Sequence, residues 1–169
     1  MLDPREHTER RNFIETILRY IPGFRGYLEK EYRRESDELQ RNWLADRLQR
    51  AKRAIDEVSR SLADAAQLDA LPQLDRLLGR LDKLIGRIRG AMQGYSGFFD
   101  LVRVDVPLLD RVYAHDVDLV QAVDQLAQAV EQLPPQQDKL AAALPAVMGK
   151  VDEIAVQWDL REGILKGLE

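Results

Sequence analysis

The sequence predicts an all-α fold: an antiparallel up-down four-helix bundle of long coiled-coil-like helices, with a short N-terminal helix packed on one end. Three observations carry the prediction. Apolar residues recur in alternating steps of three and four along most of the 169 residues, and no segment alternates with a strand's period of two. Proline and glycine punctuate those runs at Pro22-Gly23, Pro72, Gly94 to Gly97 and Pro134-Pro135. All eleven aromatic residues lie between Phe13 and Trp43, between Tyr95 and Tyr113, or at Trp158, so antiparallel helices of similar length bring them to one end.

Asp3-Pro4 reads as an N-cap followed by a first-turn proline, opening an N-terminal helix over residues 1–21. Phe13, Ile14, Ile17, Leu18 and Ile21 share one side of it and are expected to be inside, and Pro22-Gly23 stops it. A second helix is expected over 27–66, on a seam of Leu44, Leu48, Ala51, Ile55, Val58, Leu62 and Ala65. Asp46/Arg50 and Asp56/Arg60 support it as i,i+4 pairs. A third spans 70–94 through Leu71, Leu74, Leu78, Leu81, Ile85, Ile88 and Met92, with Leu77 and Leu84 widening the stripe. The fourth covers 106–133, with Leu109, Val112, Asp116, Leu119, Val123, Leu126, Val130 and Leu133 in phase. The fifth covers 136–165 through Leu140, Leu144, Val147, Val151, Ile154, Trp158, Arg161 and Leu165. Pro145 predicts a kink or a broken first turn there. The length fits a single domain over 1–169.

With no cysteine, disulfides, thiolate metal sites and cysteine nucleophiles are excluded. No apolar run reaches the roughly 18–20 residues of a membrane span, and MLDPREHTERR lacks a signal peptide's apolar stretch, so the expected location is cytoplasmic. A net charge of −4 argues against nucleic acid as a partner, and an excess of Arg over Lys with abundant Ala and Leu suggests a GC-rich bacterial genome. Residues 28–94 carry 14 basic and 12 acidic side chains, whereas residues 105–162 carry 4 and 11. The two halves therefore attract one another, or the second offers an acidic face to a basic partner.

Polar residues interrupt the seams near the aromatic end. Glu35 takes a seam place among Leu28, Tyr32 and Leu39, Asp116 does so in the fourth helix, and Arg161 in the fifth. A seam charge is costly unless paired, so Arg161 is expected to join Asp116, Glu35 or both, with Arg33, Arg34 and Asp100 within reach. Glu35, Asp116, Arg161, Arg34, Tyr95, Tyr113 and Trp158 form the candidate polar cluster or interaction end. It reads first as a device fixing which helix faces which, and second as a ligand or catalytic pocket. No catalytic, cofactor-binding or metal residue is assigned. Neither His7 nor His115 has the glutamate three residues before it that a di-iron bundle requires, and no phosphate loop or nucleophile elbow is present. Gly94-Tyr95-Ser96-Gly97 suits a tight turn better than an anion cradle.

Ile21-Pro22-Gly23-Phe24-Arg25-Gly26-Tyr27, followed by Glu29, Arg33, Arg34, Glu35 and Asp37, and Gly94-Tyr95-Ser96-Gly97-Phe98-Phe99-Asp100 resemble motifs of an uncharacterised bacterial family of small all-helical proteins. The resemblance implies no activity, and marks the aromatic-polar end as the distinctive part. The expected function is a non-enzymatic helical scaffold or adaptor that binds a protein partner or a second copy of itself. The alternative is a peripheral membrane protein of the envelope-stress kind, anchored by the N-terminal amphipathic helix, whose Phe13, Ile14, Ile17 and Leu18 are flanked by arginines. A third is a small-ligand binder or enzyme at the aromatic-polar end.

Overall fold

The computed structural model describes residues 4–94 and 106–165. Among these residues there are five α-helices and no strand: α1 (Pro4–Tyr20), α2 (Lys30–Asp64), α3 (Leu71–Gly94), α4 (Val106–Glu131) and α5 (Gln137–Leu165). The N-cap expected at Asp3 lies outside the described residues.

Helix α1 packs on α4 and buries Ile17 completely, with Phe13, Ile14 and Tyr20 half-buried around it. Leu18, expected inside with them, is instead 41% exposed. Adjacent helical residues point about 100° apart, so a side centred on Ile17 turns Leu18 outward. Past the helix, Gly23 and Gly26 take φ of +87° and +84°, the left-handed region open to glycine.

Helix α2 starts at Lys30, three residues later than the spacing predicts. Its would-be first residues are held elsewhere. The Tyr27 N–H donates to the Tyr113 hydroxyl, and Arg33 donates to the Tyr27 carbonyl at 2.6 Å and the Leu28 carbonyl at 3.1 Å. At its other end, the Gln67 N–H reaches back to the Leu62 carbonyl and that of Ala66 to Ala63, a Schellman closure. Ala66 occupies the left-handed position at φ 56°. Helix α5 runs unbroken through Pro145, contrary to a broken first turn. Pro145 lacks the N–H that would bond the Ala141 carbonyl, and both residues lie on the exposed side of the helix.

The packed pairs are α2 with α3 and α4, and α5 with α3 and α4, an arrangement consistent with a helical bundle. Ion pairs mark how the helices line up. Asp46–Arg89 and Lys52–Asp82 step in opposite senses along α2 and α3, whereas Arg80–Asp152 and Arg87–Asp159 step in the same sense along α3 and α5. The core inside holds Leu48, Ile55, Leu74, Leu81, Val123, Leu126 and Val151. Among the described residues, no helix is long and apolar enough to cross a membrane.

Candidate functional site

The buried phase of α2 continues N-terminally from Leu44 in the same three-four steps, and it lands on polar residues: Arg41, Asp37 and Arg33, with Gln40 beside them. From the opposite helices come Asp116 of α4 and Arg161 and Trp158 of α5, and from the turn before α2 comes Tyr27. Gln40, Arg41, Asp116, Arg161, Trp158 and Tyr27 are all fully enclosed.

Arg161 is the hub. Its Nε donates to Asp116 Oδ1 at 2.6 Å and its Nη2 to Asp37 Oδ1 at 2.7 Å, with Gln40 Oε1 and the Tyr27 hydroxyl at 3.1 and 3.2 Å from the same nitrogen. Arg41 Nε donates to the other Asp37 oxygen at 2.7 Å. The Tyr27 hydroxyl donates to Asp116 Oδ2. Both guanidiniums lie against the Trp158 ring, Arg41 at 4.8 Å and Arg161 at 5.4 Å from its centroid. Two arginines thus balance two aspartates.

Burial alone raises the Asp37 carboxyl, but the positive charges of Arg161 and Arg41 outweigh it and hold its pKa below the usual carboxylate value. Burial, with the charge of Asp116 added, pushes the Tyr27 phenol well above its ordinary value, so it stays protonated and donates. Burial works against the Arg161 cation, yet Asp116 and Asp37 more than compensate.

A second layer locks Tyr27 in place. Tyr113 stacks on it at 5.2 Å between centroids, and its own phenol is raised by burial. A Cβ at Gly26 would come within 2.5 Å of the Tyr113 oxygen, so that turn requires glycine on steric as well as backbone grounds. Arg10 of α1 grips Asp110 of α4 with two bonds, at 2.7 and 3.1 Å.

Of the residues the sequence singles out, Asp116, Arg161, Tyr113 and Trp158 meet here. Glu35 does not: it is exposed, and Asp37 stands in its place. Arg34 is likewise exposed, and Arg33 turns inward instead. The seam through Leu28, Tyr32 and Leu39 follows the apolar residues, whereas the buried phase follows charged ones; extending the Leu44 seam backwards finds them. Tyr95 and Asp100 lie outside the described residues. His115 is half-buried in α4, and among the described residues no three His, Asp or Glu side chains are grouped to hold a metal ion.

Chemically, the cluster binds its own members. Its acids and bases are spent on one another, while Gln40 Nε2, Trp158 Nε1 and Arg161 Nη1 are buried donors with no acceptor among the described residues. Such donors offset part of what the ion pairs contribute, the signature of a network that selects an arrangement more than it adds stability. Compared with protein-family models, with curated proteins and with solved structures, the chain matches none.

Proposed function

We propose that the chain is an antiparallel up-down four-helix bundle serving as a non-enzymatic scaffold or adaptor for protein–protein interaction in a bacterial cytoplasm. One observation carries this reading: Arg41, Asp37, Asp116 and Arg161 neutralise one another inside the protein, so among the described residues this cluster offers no exposed acid, base or cation to a substrate. The opposed stepping of the α2–α3 ion pairs supports the antiparallel hairpin. The docking of α1 on α4 through Ile17 and Arg10–Asp110 supports the adaptor over a lipid anchor, because Ile17 is fully buried and Phe13 and Ile14 half-buried, which leaves only Leu18 of the apolar side exposed.

The test is to crosslink the protein in cells, identify what it contacts, and reassemble the pair from purified components. Saturable binding is expected, and it should survive the Arg161→Met/Asp116→Leu double substitution, which keeps the charges balanced while removing the hub. If binding is lost in a double variant that remains folded, the cluster acts on the ligand itself and the scaffold reading fails.

A further inference from the structure

The exposed sides of α3 and α5 carry opposite charge in matching stripes. On α3, Arg76, Arg80, Lys83 and Arg87 recur in steps of four, three and four; on α5, Asp152 and Asp159 stand seven apart, level with Arg80 and Arg87. Two cross-links join the stripes, Arg80–Asp152 at 2.9 Å and Arg87–Asp159, and all four side chains stay at least 35% exposed. Lys83 lies between them and makes no ion pair with a described residue. Val156, on the α5 stripe between Asp152 and Asp159, is 59% exposed.

We propose that this face is an interface with a second copy of the chain, which names the partner within the protein-interaction reading above and rests on it. A two-fold axis running along the helices lays α3 of one copy over α5 of the other, basic stripe on acidic stripe. Each Arg80 and Arg87 then faces a second aspartate across the interface, in an alternating square of charges, and Lys83 gains the acidic stripe as a partner. An axis perpendicular to the helices would set α3 on α3, base on base, so the charge pattern selects the first arrangement. Val156 supplies the apolar contact between the squares. The size also fits. Twenty-four residues of α3 extend about 36 Å, and two helices side by side are about 20 Å wide, giving about 700 Å² per copy. Specific interfaces bury about 600–1,000 Å² per partner.

Sedimentation equilibrium of the full chain at low salt, over a range of concentrations, tests this. Twice the chain mass is expected, with dissociation on raising the salt as the charges are screened. Val156→Glu should give a monomer of unchanged helix content. The sharper test uses two complementary variants. Arg80→Glu/Lys83→Glu/Arg87→Glu makes both stripes acidic, and Asp152→Lys/Asp159→Lys makes both basic. Each alone should be monomeric, and an equimolar mixture should form a heterodimer. A monomeric wild-type chain, whether the face is bare or covered by another protein, overturns the proposal while leaving the adaptor reading to its own test. A dimer indifferent to Val156→Glu, or folded charge variants that fail to pair, overturns it as well.

Discussion

Arg161 holds two buried carboxylates, Asp116 and Asp37, so its loss is felt twice. Arg161→Met is expected to cost about 3–5 kcal/mol, because it leaves buried charge without a counter-charge. Arg161→Met/Asp116→Leu should recover much of that, since Arg41 and Asp37 remain as a neutral pair; urea melts of the three proteins decide it. The same cluster sets the pH limits. Asp37 has a lower pKa folded than unfolded, so its contribution is complete above about pH 4 and is lost as pH falls through the folded value. The stability gap between wild type and Asp37→Asn should therefore shrink in acid. Tyr27 behaves oppositely. Its folded pKa is raised, so above about pH 10 the unfolded chain ionises first and stability falls, a loss that Tyr27→Phe should lack. Sequence reached Arg161, Asp116, Tyr113 and Trp158 because each breaks or joins an apolar seam at a fixed phase. It missed Asp37, Gln40 and Arg41 because a polar run in a helix resembles a solvated face unless the phase is carried through it.

At the scale of elements, the two ends of the α1–α2 and α2–α3 connections make opposite demands on the backbone. Gly26 has no substitute: Gly26→Ala adds a Cβ against the Tyr113 hydroxyl at φ +84° and should cost about 1–3 kcal/mol. Ala66 is the reverse, a left-handed residue with a Cβ at a position that favours glycine, and Ala66→Gly should raise stability by about 1 kcal/mol. Both shifts are readable as changes in urea midpoint. Helices α4 and α5 were legible throughout, since every predicted seam residue from Leu109 to Leu133 and from Leu140 to Leu165 is buried. The start of α2 was not, because the Tyr113 hydroxyl captures the Tyr27 N–H from 86 positions away and the Arg33 side chain folds back on the Tyr27 and Leu28 carbonyls, and neither contact shows in the apolar spacing.

Across the whole molecule, α1 is a separate piece tied to α4. Removing residues 1–21 uncovers the surface under Ile17 and strips Asp110 of Arg10. Burying one such side chain contributes about 1.5–3 kcal/mol, and the half-buried Phe13, Ile14 and Tyr20 add to it. A loss of about 3 kcal/mol corresponds to a melting temperature lower by about 6–12 °C for a chain of this size. An unchanged melting temperature in the truncated protein would mean that α1 is not part of the cooperative unit.

The reach of the central cluster has a kinetic consequence. Tyr27 and Arg161 stand 134 positions apart, so their hydrogen bond closes only after nearly the entire chain has been gathered. Loop-closure entropy favours contacts between nearby helices, so the guanidinium shared among α2, α4 and the Tyr27 turn is expected to be held last. Contacts absent from the folding transition state act on the rate of opening. In a chevron plot, Arg161→Met should leave the folding limb in place and raise the unfolding limb by nearly its full energetic effect. Arg161 is then a latch: it sets how long the assembled molecule stays closed.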